Sequence, residues 1–389
     1  MRKIKLSQQE RISWLRLARS ENVGPATFEN LMRFYEKPSE ALADLPNWAL
    51  RGGSKRTIKV ASLQQAENEI NALETLGARL MFSCDEDYPQ LLSSIRNAPP
   101  VFSYLGRKDL LSTPSVAFVG ARNASLNGKN LTRSMAFDCV ESGISVVSGM
   151  ALGIDGAAHE GALSAQNQNA GTLAVLGCGI DIIYPIENKE IYEQIKENGT
   201  LISDFPLGMR PTAVNFPRRN RLISGLSLGT LVVEAKDNSG SLITAEFAKE
   251  QGRVIMAVPG SPADDRSFVP NTLIKAGAVL VQNSKDILEA IRQAQTKQKD
   301  FYLSETSDKQ IDVFRLPDYD DVSLARPAIL SALSTTPVSE DELCQHLDIP
   351  SSIVSVVLLE LELAGRIERH ALGRVSMIYG DSDFVQSMY

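Results

Sequence analysis

A chain of 389 residues, 43% hydrophobic and 22% charged, has the composition of a globular protein of two or three domains, which excludes a disordered chain. Its 40 basic and 47 acidic residues give a formal net charge of -7, which argues against a general polyanion binder but leaves room for a local basic groove. No run of about 18 apolar residues and no apolar signal core is present, so we predict a cytoplasmic protein without a membrane span.

The first 76 residues are predicted to form a helical N-terminal domain. Apolar residues recur at three- and four-residue steps on both sides of a turn at 22–27, where Gly24 suits a positive φ and Pro25 a first helical position. Such a helix-hairpin-helix can offer backbone N–H groups to a DNA phosphate, but the same turn joins helices in many small bundles. Residues 77–114, rich in proline, are predicted to be an extended connector leading into the next domain.

Residues 115–292 have the pattern of an α/β domain. Short apolar, β-branched runs are separated by stretches long enough for helices, and they lie at 115–119, 144–148, 172–176, 201–204, 230–234, 254–258 and 278–281. The pattern predicts a Rossmann-like, mostly parallel sheet with helices on both faces. Ligands of such sheets bind outside the carboxyl ends of the strands, so the loops after these runs are the candidate sites.

The C-terminal part is predicted to be a linker, residues 293–323, followed by a winged-helix domain, residues 324–389. Three helical patterns, at 325–333, 339–346 and 351–364, precede a short hairpin across Gly373 with strands at 366–370 and 375–379. The presumptive recognition helix, residues 351–364, carries Glu360 and Glu362 but no Lys or Arg, so a protein contact or regulatory role is favoured over reading of a DNA duplex.

Small residues end several of the predicted strands and could bring backbone N–H groups close to an anion. The candidate positions are Gly120, Arg122, Ser148, Gly149, Ser239, Gly240 and Ser241. Ser241 is predicted to cap the helix that follows the last of these loops. The glycine spacing is not GxGxxG and no GxxxxGK[ST] is present, so nicotinamide cofactors and P-loop nucleotide hydrolysis are disfavoured.

The densest cationic cluster is at 218–221, before an apolar helix predicted to start near Leu222. Its members are Arg218, Arg219, Asn220 and Arg221, with Phe216 beside them. Guanidinium groups match phosphate, and an aromatic ring beside a cationic track is typical of single-stranded nucleic-acid binding. The alternative is that at least one of these arginines holds the sheet together through an ion pair with a buried carboxylate such as Asp155 or Glu234.

The sequence has little that suggests catalysis or a cofactor. His159 follows Asp155 by one helical turn, which predicts a structural contact between them, and no nucleophile motif accompanies the pair. The four cysteines lie far apart without a CxxC pair, and no His, Asp or Glu cluster has metal spacing. We therefore predict that the protein is not an enzyme and has no cofactor.

Taken together, these motifs resemble the DNA processing protein A family (DprA, also called Smf). The matching segments, in order over about 170 residues, are Val119-Gly120-Ala121-Arg122, residues 148–155 with Ala158-His159, residues 172–177 with Tyr184-Pro185, Asn215-Phe216-Pro217 with Arg219-Asn220-Arg221, residues 239–244, and Pro259-Gly260 with the later Asn271, Leu273, Ile274, Gly277 and Ala278.

The resemblance implies a cytoplasmic, dimeric protein of natural transformation. It would bind and protect incoming single-stranded DNA and load the RecA recombinase onto it, including strands coated by single-strand-binding protein. Matched by motif, Arg122 would contact phosphate, Arg219 and Arg221 would line the same pocket, Phe216 would meet a base, and Lys189 lies near a family basic position. Some members have a lysine shortly before the Phe-Pro pair, and here Arg210 or Arg218 would replace it.

Two other functions remain to be distinguished. A Rossmann-like nucleoside monophosphate hydrolase would carry PGGxGTxxE, but residues 226–234 lack the paired glycines and place Glu234 one residue too far along the strand. A scaffold for RecA with no strand affinity of its own would cross-link to RecA without shifting an oligonucleotide.

Overall fold

The protein is described here from a computed structural model that covers residues 5–237, 239–305, 318–370 and 373–378. Within these residues the chain divides into two compact units. The central unit contains residues 68–305, and the terminal unit combines residues 6–67 with 318–378. The N-terminal helices and the winged helix, expected as separate domains, therefore belong to one unit.

The described part of the central unit is built on a nine-stranded sheet. Its strands are β1 (Arg79–Phe82), β2 (Val101–Gly106), β3 (Ser115–Val119), β4 (Ser145–Ser148), β5 (Thr172–Val175), β6 (Thr200–Ser203), β7 (Gly229–Val232), β8 (Val254–Ala257) and β9 (Val279–Leu280). The order is β1-β2-β6-β5-β4-β3-β7-β8-β9, and every pair from β6 to β9 is parallel. The predicted Rossmann-like, mostly parallel sheet is confirmed.

Helices cover both faces of this sheet. They are α5 (Gln90–Ser93), α6 (Leu126–Glu141), α7 (Ile154–Leu163), α8 (Lys189–Asn198), α9 (Asn215–Gly225), α10 (Gly240–Glu250), α11 (Phe268–Lys275) and α12 (Ser284–Glu305). Alternate side chains of β3 point to opposite faces. Ala117 and Val119 pack in the core beneath α9 and α10, while Val116 and Phe118 pack in the core shared with α6, α7 and α12.

The prediction of an extended connector at 77–114 is wrong. Strands β1 and β2 pair with each other, and β2 pairs with β6, both antiparallel, so this segment completes one edge of the sheet. The first five residues of β2, starting at Val101, are all buried. Pro99 and Pro100 lie directly before this strand, so they mark its start and are compatible with a strand at 101–106.

The predicted linker at 293–323 is also shorter than expected. Helix α12 continues to Glu305 because Ile287, Ala290 and Ile291 anchor it in the core and the polar residues that follow are good helix formers. At the other end of the linker, helix α13 begins at Tyr319. The residues between 305 and 318 lie outside the described part of the chain.

The terminal unit joins a helical hairpin to a winged helix. Its elements are α1 (Gln8–Ala18), α2 (Pro25–Phe34), α3 (Pro38–Arg51), the start of α4 (Leu63–Leu76), α13 (Tyr319–Ala332), β10 (Val338–Ser339), α14 (Glu340–Leu347), α15 (Ser351–Leu363), β11 (Ile367–Arg369) and β12 (Arg374–Met377). The predicted wing is confirmed as β11 and β12, and β10, which the sequence did not reveal, pairs with β12. Tyr379, the predicted end of the wing, lies outside the described residues.

The hairpin turn is built differently from expectation. Pro25 does occupy the first position of α2, but Gly24 has φ -80°, and the left-handed residue is Asn22 at φ 59°. The Asn22 Nδ2 donates to the Leu363 carbonyl at the end of α15, 3.1 Å away. A carboxyl end of a helix, rather than an open surface, therefore lies against the turn.

The presumptive recognition helix α15 is buried rather than displayed. It packs against α3 and α13, and the Glu360 side chain, 2% exposed, accepts from Arg51 Nε at 3.0 Å and Arg326 Nη2 at 2.6 Å. A Cβ on Gly52 would lie 1.9 Å from the Glu360 carbonyl oxygen, so the end of α3 fits against α15 only with glycine there. Helix α15 therefore packs within the chain's own terminal unit, and the protein contact or regulatory role favoured for it stays a prediction.

Among the described residues, none of the helices is long and apolar enough to cross a bilayer.

Candidate nucleic-acid interface

The loops that follow β3, β4 and β5 meet α9 at the carboxyl edge of the sheet and enclose a cavity of about 60 Å³. Its lining consists of Arg122, Gly149, Ala151, Leu152, Gly177, Tyr184, Pro185, Phe216 and Arg219. The structure thus brings together the glycine loops, the aromatic residue and two of the arginines singled out from the sequence.

Arg122 is the exposed cation of this cavity lining. Its guanidinium carbon lies 5.4 Å from the centre of the Phe216 ring, and that of Arg219 lies 5.9 Å from the same centre. Both distances allow cation–π attraction, which helps to hold the two guanidinium groups beside one ring. Because Arg122 is exposed and Arg219 is buried, Arg122 is the one positioned to meet a ligand from solvent.

Helix α9 begins at Asn215 and not near Leu222, so the cationic cluster lies on the helix itself. Successive residues of a helix point about 100° apart, and the cluster is therefore divided between faces. Arg218 is exposed, whereas Arg219 and Asn220 are buried and Arg221 is half-buried. The cluster does not act as a single fork of three guanidinium groups.

Arg219 is a buried residue that positions the Gly149 loop. Its Nη1 donates to the Gly149 carbonyl at 2.6 Å and to the Val175 carbonyl, and its Nε donates to Asn220 Oδ1 at 3.1 Å. Burial lowers the pKa of Arg219 to about 10, with the nearby Asp155 opposing that shift, so the guanidinium stays charged at neutral pH. Arg219 therefore holds the wall of the pocket instead of offering an exposed fork to phosphate.

The Gly149 amide is also occupied. Asp155 Oδ2 accepts from the N–H of Gly149 at 3.1 Å and from that of Ala151 at 3.3 Å. Asn188 Nδ2 donates to the carbonyls of Met150 and Ala151, and Met150 has a left-handed φ of 61°. The loop is thus held by side chains from several elements, and its Gly149 N–H does not point to a ligand as expected.

Arg221 forms an ion pair with a carboxylate inside the fold. Its Nη2 lies 2.6 Å from Asp204 Oδ2, with side chains 12% and 13% exposed, and its Nη1 donates to the Asn97 carbonyl. The alternative of a sheet-holding ion pair is thus right for this arginine, although the partner is Asp204. Glu234 instead accepts from the N–H and the hydroxyl of Ser125, just before α6.

Two further sequence candidates serve the fold. The Ser148 hydroxyl donates to the Phe118 carbonyl at 2.7 Å and is fully buried. A Cβ on Gly120 would lie 2.5 Å from Ile154 Cγ1, so glycine is needed there for packing between β3 and α7. The Ser148 side chain is therefore not available to a ligand, and Gly120 is required for packing.

The loop at residues 239–241 differs in detail from the prediction. Helix α10 begins at Gly240, so the cap position belongs to Ser239 and not to Ser241, and the Ser239 side chain makes no capping hydrogen bond. Gly240 has open space where a Cβ would be, and its carbonyl accepts from Asn220 Nδ2 at 3.2 Å. Asn220 thereby links the start of α10 to α9.

Exposed cations flank the cavity-forming loops in sequence. Lys189 is the first residue of α8, directly after Asn188, and Arg210 and Arg218 lie on either side of the start of α9. All three side chains are exposed. All three can therefore be reached by a ligand from solvent. Arg210 and Arg218 both remain candidates to replace the lysine that some family members have before the Phe-Pro pair.

The predicted contact between Asp155 and His159 is wrong. His159 Nδ1 lies 2.7 Å from Thr172 Oγ1, and the ring is fully buried. Burial, with the charge of Arg219 acting in the same direction, lowers the pKa of His159 to about 3, so the ring is neutral at physiological pH. This histidine is part of the core between α7 and β5.

The sequence motifs include Tyr184 but give it no role, and they leave out Asn188. The Tyr184 ring centre lies 5.6 Å from that of Phe216, and the side chain is 40% exposed. Both residues follow β5 at the edge where ligands of such sheets bind, and that position is the signal that could have found them.

The sheet and its rim define a Rossmann-like protein flanked by a helical hairpin and a winged helix. Family models match the same three parts: a DprA-like N-terminal HHH domain at residues 8–72, DNA recombination-mediator protein A at 79–292, and a DprA winged helix domain at 316–371. The chain therefore belongs to the DprA/Smf family.

Individual relatives agree with this assignment. Protein Smf of Synechocystis sp. is 31% identical over 392 residues, covering 94% of this chain and 98% of the relative. Protein Smf of Escherichia coli is 38% identical, covering 77% of this chain and 78% of the relative. The X-ray structure of DNA processing protein A from Streptococcus pneumoniae superposes with a TM-score of 0.58 at 33% identity, covering 74% of this chain and 98% of that one.

Proposed function

We propose that this protein binds single-stranded DNA at the carboxyl edge of its sheet, protects incoming strands in natural transformation and loads RecA onto them in the cytoplasm. The observation that carries the proposal is the pairing of exposed Arg122 with the Phe216 ring, 5.4 Å apart, beside an aromatic-lined cavity. A guanidinium for phosphate and an aromatic surface for bases are the two elements of a single-strand site. The family description as a DNA recombination mediator supports the same role.

Few cations serve this site in each subunit, so affinity for a strand depends on using two copies. Lys189, Arg210 and Arg218 are further exposed cations of the same unit, while the whole chain carries a net charge of -7. Two sites joined in a dimer would bind one strand with a high effective concentration for the second contact.

The exposed edge of the sheet supplies a surface for that dimer. Strand β9 is the last strand in the order and exposes Val279 and Leu280, 39% and 44% respectively, and Phe268 of α11 is 55% exposed. An unpaired edge with apolar side chains favours pairing with another copy. Leu280→Lys should give monomers in analytical ultracentrifugation, whereas Leu324→Lys, at a 78% exposed position of α13, should stay dimeric. Dimers that persist in Leu280→Lys would contradict this interface.

The non-enzymatic role is favoured over nucleotide hydrolysis by the position of Glu234. Both of its carboxylate oxygens are engaged by Ser125, and a Cβ on Gly128 would lie 2.5 Å from its Oε1, so the carboxylate is packed at the start of α6. Release of adenine from AMP, abolished by Glu234→Gln, would instead support the hydrolase.

The strand-binding proposal is tested by Arg122→Ala over a salt series with an oligothymidylate. Loss of one phosphate contact should weaken binding and reduce the slope of log K against log salt by about 0.7. Arg133→Ala is the matched control, because this exposed arginine of α6 is ion-paired with Glu160 and does not line the cavity. Unchanged affinity and slope in Arg122→Ala would overturn the site.

RecA loading is tested separately, with single strands coated by single-strand-binding protein. The intact protein should speed the formation of RecA filaments on these strands, and Arg122→Ala should reduce the effect. Cross-linking to RecA together with no mobility shift of an oligonucleotide would favour the scaffold without strand affinity.

A further inference from the structure

The Phe216 ring is packed on several sides. Two guanidinium groups lie within 6 Å of its centre, and a Cβ on Gly177 would lie 2.8 Å from its Cδ1 atom. The Tyr184 ring also packs against it, with centres 5.6 Å apart and planes inclined by 34°. A spacing of 5.6 Å leaves no room for a base between the two rings, since stacked aromatic rings already lie about 4.5 to 7 Å apart centre to centre.

Tyr184 has a different environment. It is 40% exposed, so a substantial part of this residue is open to solvent although its ring packs against Phe216. The side chains around it in sequence and in the cavity lining are apolar and partly exposed as well, with Leu152 at 38% and Ile186 at 65%. An exposed apolar surface beside the exposed guanidinium of Arg122 suits a ligand that has both flat apolar groups and negative charge.

We propose that Tyr184 is the residue on which a nucleobase stacks, and that this contact makes the site prefer single strands to duplexes. The inference rests on the proposed strand binding at this rim and assigns its base contact to Tyr184, whereas the sequence motifs led us to expect that contact from Phe216. Phe216 then has a supporting role, because it holds Arg122 and Arg219 beside the ring that meets the base.

The preference for single strands follows from what each ligand exposes. A single strand can turn an unpaired base onto a protein ring, and such stacking is sequence-tolerant because every base has a flat face. In a duplex the bases are already stacked and paired, so only the phosphates reach a shallow rim. Arg122 alone does not distinguish the two ligands, whereas the Tyr184 ring does.

The test compares Tyr184→Ala, Tyr184→Leu and Tyr184→Phe on three probes: an oligothymidylate, an abasic strand of the same length and a duplex. Tyr184→Ala should lose roughly 5- to 150-fold in affinity for the oligothymidylate and change little with the other two probes. Tyr184→Leu, which keeps apolar volume against Phe216 but has no flat ring, should behave in the same way. Tyr184→Phe, which keeps the ring, should stay within about twofold of the unaltered protein.

Two results would overturn the inference. One is full affinity of Tyr184→Leu for the oligothymidylate, and the other is an equal loss on the thymidine and abasic strands, which would indicate a structural role. Arg122→Ala separates this failure from a failure of the proposed site. If that variant loses affinity for all three probes while Tyr184→Leu loses none, the site stands and the assignment of Tyr184 falls.

Discussion

Asp155 and Arg219 hold the same residue, Gly149, from its two backbone groups. The Asp155 carboxylate accepts from the Gly149 N–H at 3.1 Å, and Arg219 donates to the Gly149 carbonyl at 2.6 Å. Burial raises the pKa of Asp155, and the Arg219 charge and the backbone amides oppose that shift. The two side chains fix the loop that forms one wall of the cavity, so their loss should act on folding before it acts on binding.

Arg219→Ala should lower the free energy of unfolding by about 3 kcal/mol or more, because buried carbonyls of Gly149 and Val175 lose a charged donor. Chemical denaturation measures this change. Arg218→Ala is the matched control, because the Arg218 side chain is next in sequence to Arg219 but exposed. This variant should stay within about 0.5 kcal/mol of the unaltered protein. Equal stability of the two variants would contradict the role assigned to Arg219.

Gly149→Ala should disturb the contact between the Gly149 loop and Arg219 by adding a side chain to the loop. The added Cβ would lie 2.7 Å from Arg219 Nη2, and the guanidinium is held by three acceptors and cannot move without losing them. We expect a stability loss of about 1 to 3 kcal/mol, together with weaker binding of an oligothymidylate. Gly240→Ala, at a position with open space for a Cβ, provides the comparison and should keep the packing of its loop. A stable, fully binding Gly149→Ala would show that Arg219 is free to move.

Arg221→Ala should affect stability and leave the electrostatics of strand binding alone. The ion pair with Asp204 keeps Arg221 inside the fold, so its loss removes no phosphate contact. The expected result is a lower denaturation midpoint with an unchanged salt slope for oligothymidylate binding under conditions where the variant is folded. A reduced salt slope would mean that Arg221 reaches the strand.

His159 should contribute to acid sensitivity. Its pKa in the folded protein is about 3, below the ordinary value of 6.5, so the unfolded chain binds one more proton between those two pH values. The stability contributed by neutral His159 is therefore complete above about pH 6.5 and is lost as the pH falls toward 3. His159→Gln, which does not titrate, should show a flatter decline of unfolding free energy between pH 6.5 and 3. Parallel declines in the two proteins would contradict a buried, neutral histidine.

Glu360→Gln should destabilise the terminal unit. The carboxylate is bonded to Arg51 and Arg326 in a buried position. Its neutralisation removes the counter-charge of Arg326 and leaves Arg51 with Asp44, 3.8 Å away, which should cost about 3 to 5 kcal/mol. Hydrogen exchange of the α15 amides should accelerate in this variant. Glu368→Gln, whose carboxylate is 60% exposed on β11, should leave α15 unchanged, and similar exchange in both variants would argue against the buried ion pairs.

The cationic cluster shows where prediction from sequence ended. The motif is recognisable, but the apolar pattern predicts a helix start near Leu222 whereas α9 begins at Asn215, and this difference conceals how the arginines divide between faces. With the correct start, Arg219 shares the buried face of Leu222 and Ile223, three and four residues further on, while Arg218 points outward. A boundary error of two helical turns was enough to assign a buried residue to the ligand.

Local patterns by themselves determined the parallel α/β sheet, the flanking helical and winged-helix modules and the family, because apolar spacing and glycine-rich strand ends are properties of short segments. Only the tertiary structure decided which charged groups remain available. Asp204 pairs with Arg221, Gly149 accepts from Arg219, and Glu360 joins Arg51 to Arg326, and each of these partners comes from a distant part of the chain. The cost of burying an unpaired charge makes such long-range pairing decisive, and nothing in the local sequence of an arginine specifies its partner.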